Sequence, residues 1–181
     1  MIGITTQFAK SENDPGTSKF FGAPTMPEEW LTDGTVADDE FYFAQFRLAE
    51  IAPFDTEHLL PETGFLYFFL AETDGGFRAN VRYFDGEPET LVDDFNEGFS
   101  LGDDTLADCS ASFEETEDAP DGTALLRRDG GEIVLLQYDP LDENKPEYLA
   151  DTEQVLTFRI APDDLRAKAF DRVTVTLEDV S

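Results

Sequence analysis

Residues 64 to 73, Gly-Phe-Leu-Tyr-Phe-Phe-Leu-Ala-Glu-Thr, constrain the fold of this chain more than any other segment. The run is apolar at nearly every position, which is the pattern of a strand buried on both faces. Its apolar part, Phe65 to Ala71, falls far short of the ~20 residues that cross a bilayer. A central strand of a sheet is therefore expected here. Asp74, Gly75 and Gly76 supply a tight turn, after which Phe77, Ala79, Val81 and Tyr83 alternate with Arg78, Asn80 and Arg82. The two segments read as a hairpin.

Other strands follow from the same reasoning. Phe41 to Leu48 reads as a strand anchored by Phe41, Phe43 and Phe46, with one short helical turn between Leu48 and Phe54. Ala124 to Arg128 and Glu132 to Tyr138 flank Asp129, Gly130 and Gly131 as a second hairpin. Gln154 to Ile160 is a further strand, Pro162 to Ala169 a short helix with proline and acids in its first turn, and Arg172 to Glu178 a closing strand. Glu89 to Phe95 is expected to add one more strand. The opening third, broken by Asn13 to Gly16, Pro24, Pro27, Asp33 and Gly34, reads as anchored irregular coil. Asn96 to Asp121, rich in acids and without period, reads as a long surface connection. The fold class is α+β and β-rich, with mixed or antiparallel sheets and a few short helices. At 181 residues a single domain, 1–181, is the expectation.

Charge sets the environment. Forty-one acidic residues against twelve basic ones leave a formal charge of −29. A chain of this mass folds to a surface of about 8,800 Å², so most of that surface must be anionic. Seventeen Phe residues supply a core and separate the chain from disordered acidic sequences. The negative field opposes nucleic-acid phosphates and anionic membranes, whose binding needs clustered Lys and Arg. Only Arg127 and Arg128 are adjacent bases. Acids spread over the whole chain match adaptation to a salty medium, where the Debye length falls to about 3 Å at 1 M salt. A surface for cations or for a basic protein partner is the other reading. The single cysteine, Cys109, suits a reducing compartment, and Met1 to Lys10 has neither the basic leader nor the apolar stretch of a secretion signal. The expected location is the cytoplasm.

The chain echoes itself. Ala44-Gln45-Phe46 is followed about twenty residues later by Leu66-Tyr67-Phe68, and Leu136-Gln137-Tyr138 is followed in the same way by Leu156-Thr157-Phe158. The echo marks a candidate duplication of a β unit. Gln45 and Gln137 are amides inside apolar strands, where an unpaired group costs about 1 to 3 kcal/mol, so each needs a partner. Two readings stay open for them: structural bonding to the backbone, or, with Trp30 and Tyr67, the lining of a cleft for a small polar ligand.

Ser18-Lys19-Phe20-Phe21-Gly22-Ala23-Pro24 followed by Pro27 and Trp30, the strand Phe43-Ala44-Gln45-Phe46, Leu60 through Phe69, and Phe158 through Leu165 with Phe170 and Val173 occur in this order. The series resembles the YwqG-like family of bacterial proteins, whose function is unknown. Phe21 stands where that family has the first of two glycines, and Leu149, Ala150 and Asp151 stand where it has Trp-Gly-Asp. The resemblance implies a mixed, sheet-rich fold and supplies no activity.

Familiar catalytic patterns are scarce. His58 is the lone histidine, so any Ser-His-acid triad would have to use it. Cys109 sits beside Asp108, and neighbouring negative charge raises a thiol pKa, which opposes nucleophilic activation. No phosphate-binding Gly-rich loop with a following Lys and Ser or Thr is present. Asp139, Asp142, Asn144 and Glu147 form the best oxygen cluster, a candidate Ca²⁺ loop without the EF-hand spacing. The leading expectation is a non-enzymatic binding or interaction protein, uncharacterised in activity, with an acidic surface and no assigned catalytic residue. The alternative is a carboxylate-dependent hydrolase assisted by a divalent metal.

Overall fold

The computed structural model describes residues 1–8, 16–92, 95–96, 109–117, 122–139 and 154–179. Its organising element is the expected hairpin: β5 (Phe65–Thr73) pairs antiparallel with β6 (Gly76–Phe84) around Gly75, whose φ of +91° a side chain would strain. Every residue from Phe65 to Ala71 is buried because the strand serves two cores. Leu66, Phe68 and Leu70 enter the main apolar cluster, while Phe65, Tyr67 and Phe69 join Met26, Trp30 and Tyr42 in a second one. This division explains an apolar run without alternation.

Ten strands form one antiparallel sheet in the order β12-β11-β10-β9-β1-β8-β2-β4-β5-β6. The remaining members are β1 (Ile2–Phe8), β2 (Lys19–Phe20), β4 (Phe41–Arg47) and β8 (Cys109–Glu115). With them are β9 (Ala124–Asp129), β10 (Glu132–Tyr138), β11 (Gln154–Ile160) and β12 (Thr174–Asp179). β12 comes back alongside β6, so the sheet is nearly closed and barrel-like around the main cluster. Outside it, β3 (Thr25–Met26) and β7 (Thr90–Leu91) form a two-stranded sheet next to the second cluster. The helices are short: α1 (Leu48–Ile51) and α2 (Pro162–Arg166). Among the described residues no helix is long and apolar enough to cross a membrane.

Four expectations need correction. The opening residues are not coil: β1 lies in the middle of the sheet, with Ile2 and Ile4 buried. The stretch expected to connect elements across the surface contains β8, with Cys109 buried. Both strands are polar on one face and find their partners far along the chain, Ile2 opposite Glu115, so neither carries a local signal. Of the strand expected over Glu89 to Phe95, Thr90–Leu91 is the extent among the described residues, and residues 93 and 94 lie outside them. The expected helix through Ala169 ends at Arg166, because Lys168 takes a φ of 55°.

The two strand pairs of the sequence echo share one register. Gln45 lies opposite Tyr67 with Phe46 opposite Leu66 and Ala44 opposite Phe68; Gln137 lies opposite Thr157 with Tyr138 opposite Leu156 and Leu136 opposite Phe158. Each pair has an irregularity just ahead of these residues, between Tyr42 and Ala44 and between Val134 and Leu136. The likeness extends to the strand before. Phe20 faces Ala44 and Leu125 faces Leu136; the next residues, Phe21 and Leu126, have φ of 58° and 56°. The sheet order places these units symmetrically about the adjacent strands β1 and β8.

Candidate functional site

Two of the four residues singled out as ligand-binding candidates, Gln45 and Tyr67, meet at Thr25, and a third, Trp30, packs on Tyr67. Gln45, fully buried on β4, accepts a hydrogen bond at Oε1 from the Thr25 N–H (2.9 Å) and donates from Nε2 to the Thr17 carbonyl (3.0 Å). The Tyr67 hydroxyl donates to the Thr25 carbonyl at 2.6 Å. Trp30, carried by the 3₁₀ turn Glu28–Leu31, packs edge-on against Tyr67 with ring centroids 5.1 Å apart. Burial first, and then the charge of Glu87, push the Tyr67 phenol far above its ordinary pKa, against a smaller opposite effect of Arg47. Tyr67 is thus a neutral donor at physiological pH. Together these contacts clamp the start of β3 to the outer face of the sheet.

Gln137 stands apart on β10. Its Nε2 donates to the Gly122 carbonyl at 2.6 Å, and its Oε1 accepts from Arg127 Nε and Nη2 at 3.2 and 3.0 Å. Of the candidate Ca²⁺ loop only Asp139 is described, and its N–H donates to Thr123 Oγ1. Asp142, Asn144 and Glu147 lie outside the described residues. His58 is exposed, with Nδ1 3.3 Å from a Glu62 carboxylate oxygen.

The cations point elsewhere. The chain has eight arginines, and seven of them have a carboxylate partner: Arg47 with Glu87, Arg78 with Asp39, Arg127 with Asp129, Arg128 with Glu57, Arg159 with Glu178, Arg166 with Asp163 and Arg172 with Asp164. Arg82 is the exception: among the described residues its buried Nε has no hydrogen-bond partner and its guanidinium forms no ion pair. In a chain of net charge −29, a guanidinium without a carboxylate is the unusual one.

Arg82 lines a cavity of about 230 Å³ on the outer face of β6, together with Arg78, Asn80, Thr35, Glu40 and Asp171. Phe77, Ala79 and Tyr83 pack into the main cluster with the buried Val81, and this alternation turns Arg78, Asn80 and Arg82 the other way. Two distant segments complete the walls, the loop through Thr35 and Glu40 and the 3₁₀ turn Phe170–Arg172. Glu40, itself buried, ties the loop to β6: its Oε1 accepts from the Ala37 N–H at 2.7 Å and from Asn80 Nδ2 at 3.1 Å. Asn80 Nδ2 also donates to the Thr35 carbonyl at 3.0 Å. The nearby Asp33 carboxyl is held below its usual range chiefly by a hydrogen bond with the Thr35 side chain, with the charge of Arg82 as the smallest contribution.

No family model and no curated protein matches the chain. The functional reading therefore rests on the geometry of this cavity. In the sequence Arg78, Asn80 and Arg82 form the polar face of a hairpin, a pattern that does not by itself mark a site. The signal available in the sequence is two of the twelve bases, Arg78 and Arg82, four positions apart on one face of one strand.

Proposed function

We propose that this chain is a non-enzymatic binding protein whose site is the polar cavity outside β6, taking a small polar molecule through an anionic group. The observation that carries this reading is Arg82, a guanidinium on a cavity wall that has no carboxylate partner among the described residues of a strongly acidic chain. Ligand sites combine a shaped space with a few placed polar groups, and arginine pairs an incoming oxyanion in a bidentate fork. Thermal unfolding at one fixed, high ionic strength, across a panel of small carboxylates, phosphates, sugars and amino acids, tests it. A ligand at a hundred times its dissociation constant adds about 2.7 kcal/mol, or roughly 5 to 10 °C for a domain of this size. The shift is expected for the wild type and absent for Arg82→Gln; a flat panel, or equal shifts in both, contradicts the reading.

A carboxylate-dependent hydrolase is the second reading, favoured by Glu40 and Asp171 on the walls of the same cavity. Asp171→Asn separates the two, since it ends turnover in a hydrolase and changes only affinity in a binding protein. The reading places the protein in the cytoplasm, in keeping with a sequence whose single cysteine, Cys109, is buried. It also retains the YwqG-like resemblance, whose motif residues run through β2, β4 and β5.

We further infer that the fold is a duplicated β unit, with β1, β2, β4, β5 and β6 corresponding to β8, β9, β10, β11 and β12. Support comes from the shared register, the paired irregularities and the paired left-handed residues Phe21 and Leu126. Polar contacts repeat as well: Arg47 N–H to Ser18 Oγ and Asp139 N–H to Thr123 Oγ1, Ala111 N–H to the Ser18 carbonyl and Ile4 N–H to the Thr123 carbonyl. In this arrangement β1 and β8 are exchanged, each pairing with the second strand of the other unit. A crystal structure with the two irregularities at different distances from Gln45 and Gln137 would contradict the duplication.

A further inference from the structure

We infer that the ligand of the β6 cavity is a small zwitterion of the α-amino-acid class, its carboxylate held by Arg82 and its ammonium by Asp171. This rests on the binding reading above and adds the class of molecule. Among the described residues the cavity wall carries one cation without an ion pair and two such carboxylates, of which Glu40 is already engaged by the Ala37 N–H and Asn80 Nδ2, leaving Asp171. Among the described residues Arg82 has no ion-pair partner, and neither does Asp171, an exposed residue on the 3₁₀ turn. They share the cavity without bridging each other, so the space between them is a gap with a cationic and an anionic wall. A molecule of matching polarity closes both pairs at once.

The other lining groups narrow the choice. Arg78 is already engaged by Asp39 through one amino group at 3.0 and 3.1 Å. Asn80 donates only through Nδ2, to Thr35 and Glu40, which leaves its Oδ1 as an acceptor. Acceptors at Asn80 and Asp171 suit an ammonium, which has three donors. A volume of about 230 Å³ lies below the roughly 300 to 1,000 Å³ of sites for drug-sized ligands, so a molecule of few heavy atoms fits. Net charge decides between a zwitterion and a simple anion. A phosphate or dicarboxylate must approach a chain of charge −29 and sit beside Glu40 and Asp171, whereas an amino acid carries no net charge and avoids that repulsion.

The test is calorimetric titration at high fixed ionic strength with each standard α-amino acid, followed by the N-acetyl and carboxamide derivatives of the tightest one. The expected result is binding of the free amino acid, weakened at least about tenfold when either charge is removed, which is about 1.4 kcal/mol. Arg82→Gln abolishes binding of the free amino acid. Asp171→Asn weakens the free amino acid but leaves the N-acetyl derivative unchanged, and at an exposed position it spares the fold, as circular dichroism checks. Equal affinity for the free and N-acetylated forms, or binding of acetate or phosphate but of no amino acid, overturns the zwitterion and leaves the binding reading standing. Failure of every probe, acetate and phosphate included, overturns both.

Discussion

At the residue scale, buried amides and paired charges do different work. Gln45 bonds the Thr25 N–H and the Thr17 carbonyl from inside the sheet, so Gln45→Ala removes both hydrogen bonds. We expect a loss of about 1 to 3 kcal/mol in urea unfolding, with no comparable loss at an exposed Gln. Arg159 shows the electrostatic counterpart. Hydrogen bonding to Arg159 holds the carboxyls of Glu178 and Asp129 below their usual range, and Glu178 in turn raises the Arg159 pKa. A carboxylate whose folded pKa is depressed contributes stability above its unfolded pKa and loses it as pH falls through the folded value. Arg159→Gln should therefore lower the urea midpoint near pH 6, and the difference from wild type should shrink as the pH is taken below about 4. A pH-independent difference would assign Arg159 to packing alone.

At the scale of elements, legibility tracked how local each signal was. The β5-β6 and β9-β10 hairpins were readable because apolar pattern and glycine turns lie within a few residues of one another. β1 and β8 were not, since each is half polar and each is the other's partner across a hundred residues of chain. The site divides in the same way. The alternation Arg78, Asn80, Arg82 was visible in sequence, but the cavity was not, because its walls come from residues near 35 to 40 and from Asp171. Of the four residues expected to line one cleft, Gln45 and Tyr67 meet at Thr25 and Trp30 packs on Tyr67, whereas Gln137 lies on β10. One element boundary offers a sharp check. Gly64 enters β5 with φ of +90°, and a Cβ there would press on the Phe84 carbonyl oxygen and lie 2.9 Å from the Tyr83 ring. Gly64→Ala should cost at least about 1 to 3 kcal/mol by thermal unfolding, while Gly75→Ala, in open space, costs only its backbone strain.

At the scale of the whole molecule, a nearly closed sheet packed with aromatic side chains is surrounded by a surface of net charge −29. Self-repulsion of that surface is screened by salt, so the midpoint of thermal unfolding should rise as NaCl is raised toward molar concentrations. A flat midpoint would remove salt adaptation as the origin of the acidity. Against this anionic background, one arginine, Arg82, stands on a cavity wall without a carboxylate partner among the described residues, and the proposed function depends on that group. Its most direct test is NMR of the arginine Nε–H groups, with the Arg82 signal assigned by its loss in Arg82→Lys. Titration with the tightest amino acid should shift the Arg82 signal to saturation, in step with calorimetry, while the other seven arginines stay nearly still. Saturable binding that leaves the Arg82 signal unmoved would place the ligand elsewhere and contradict the account.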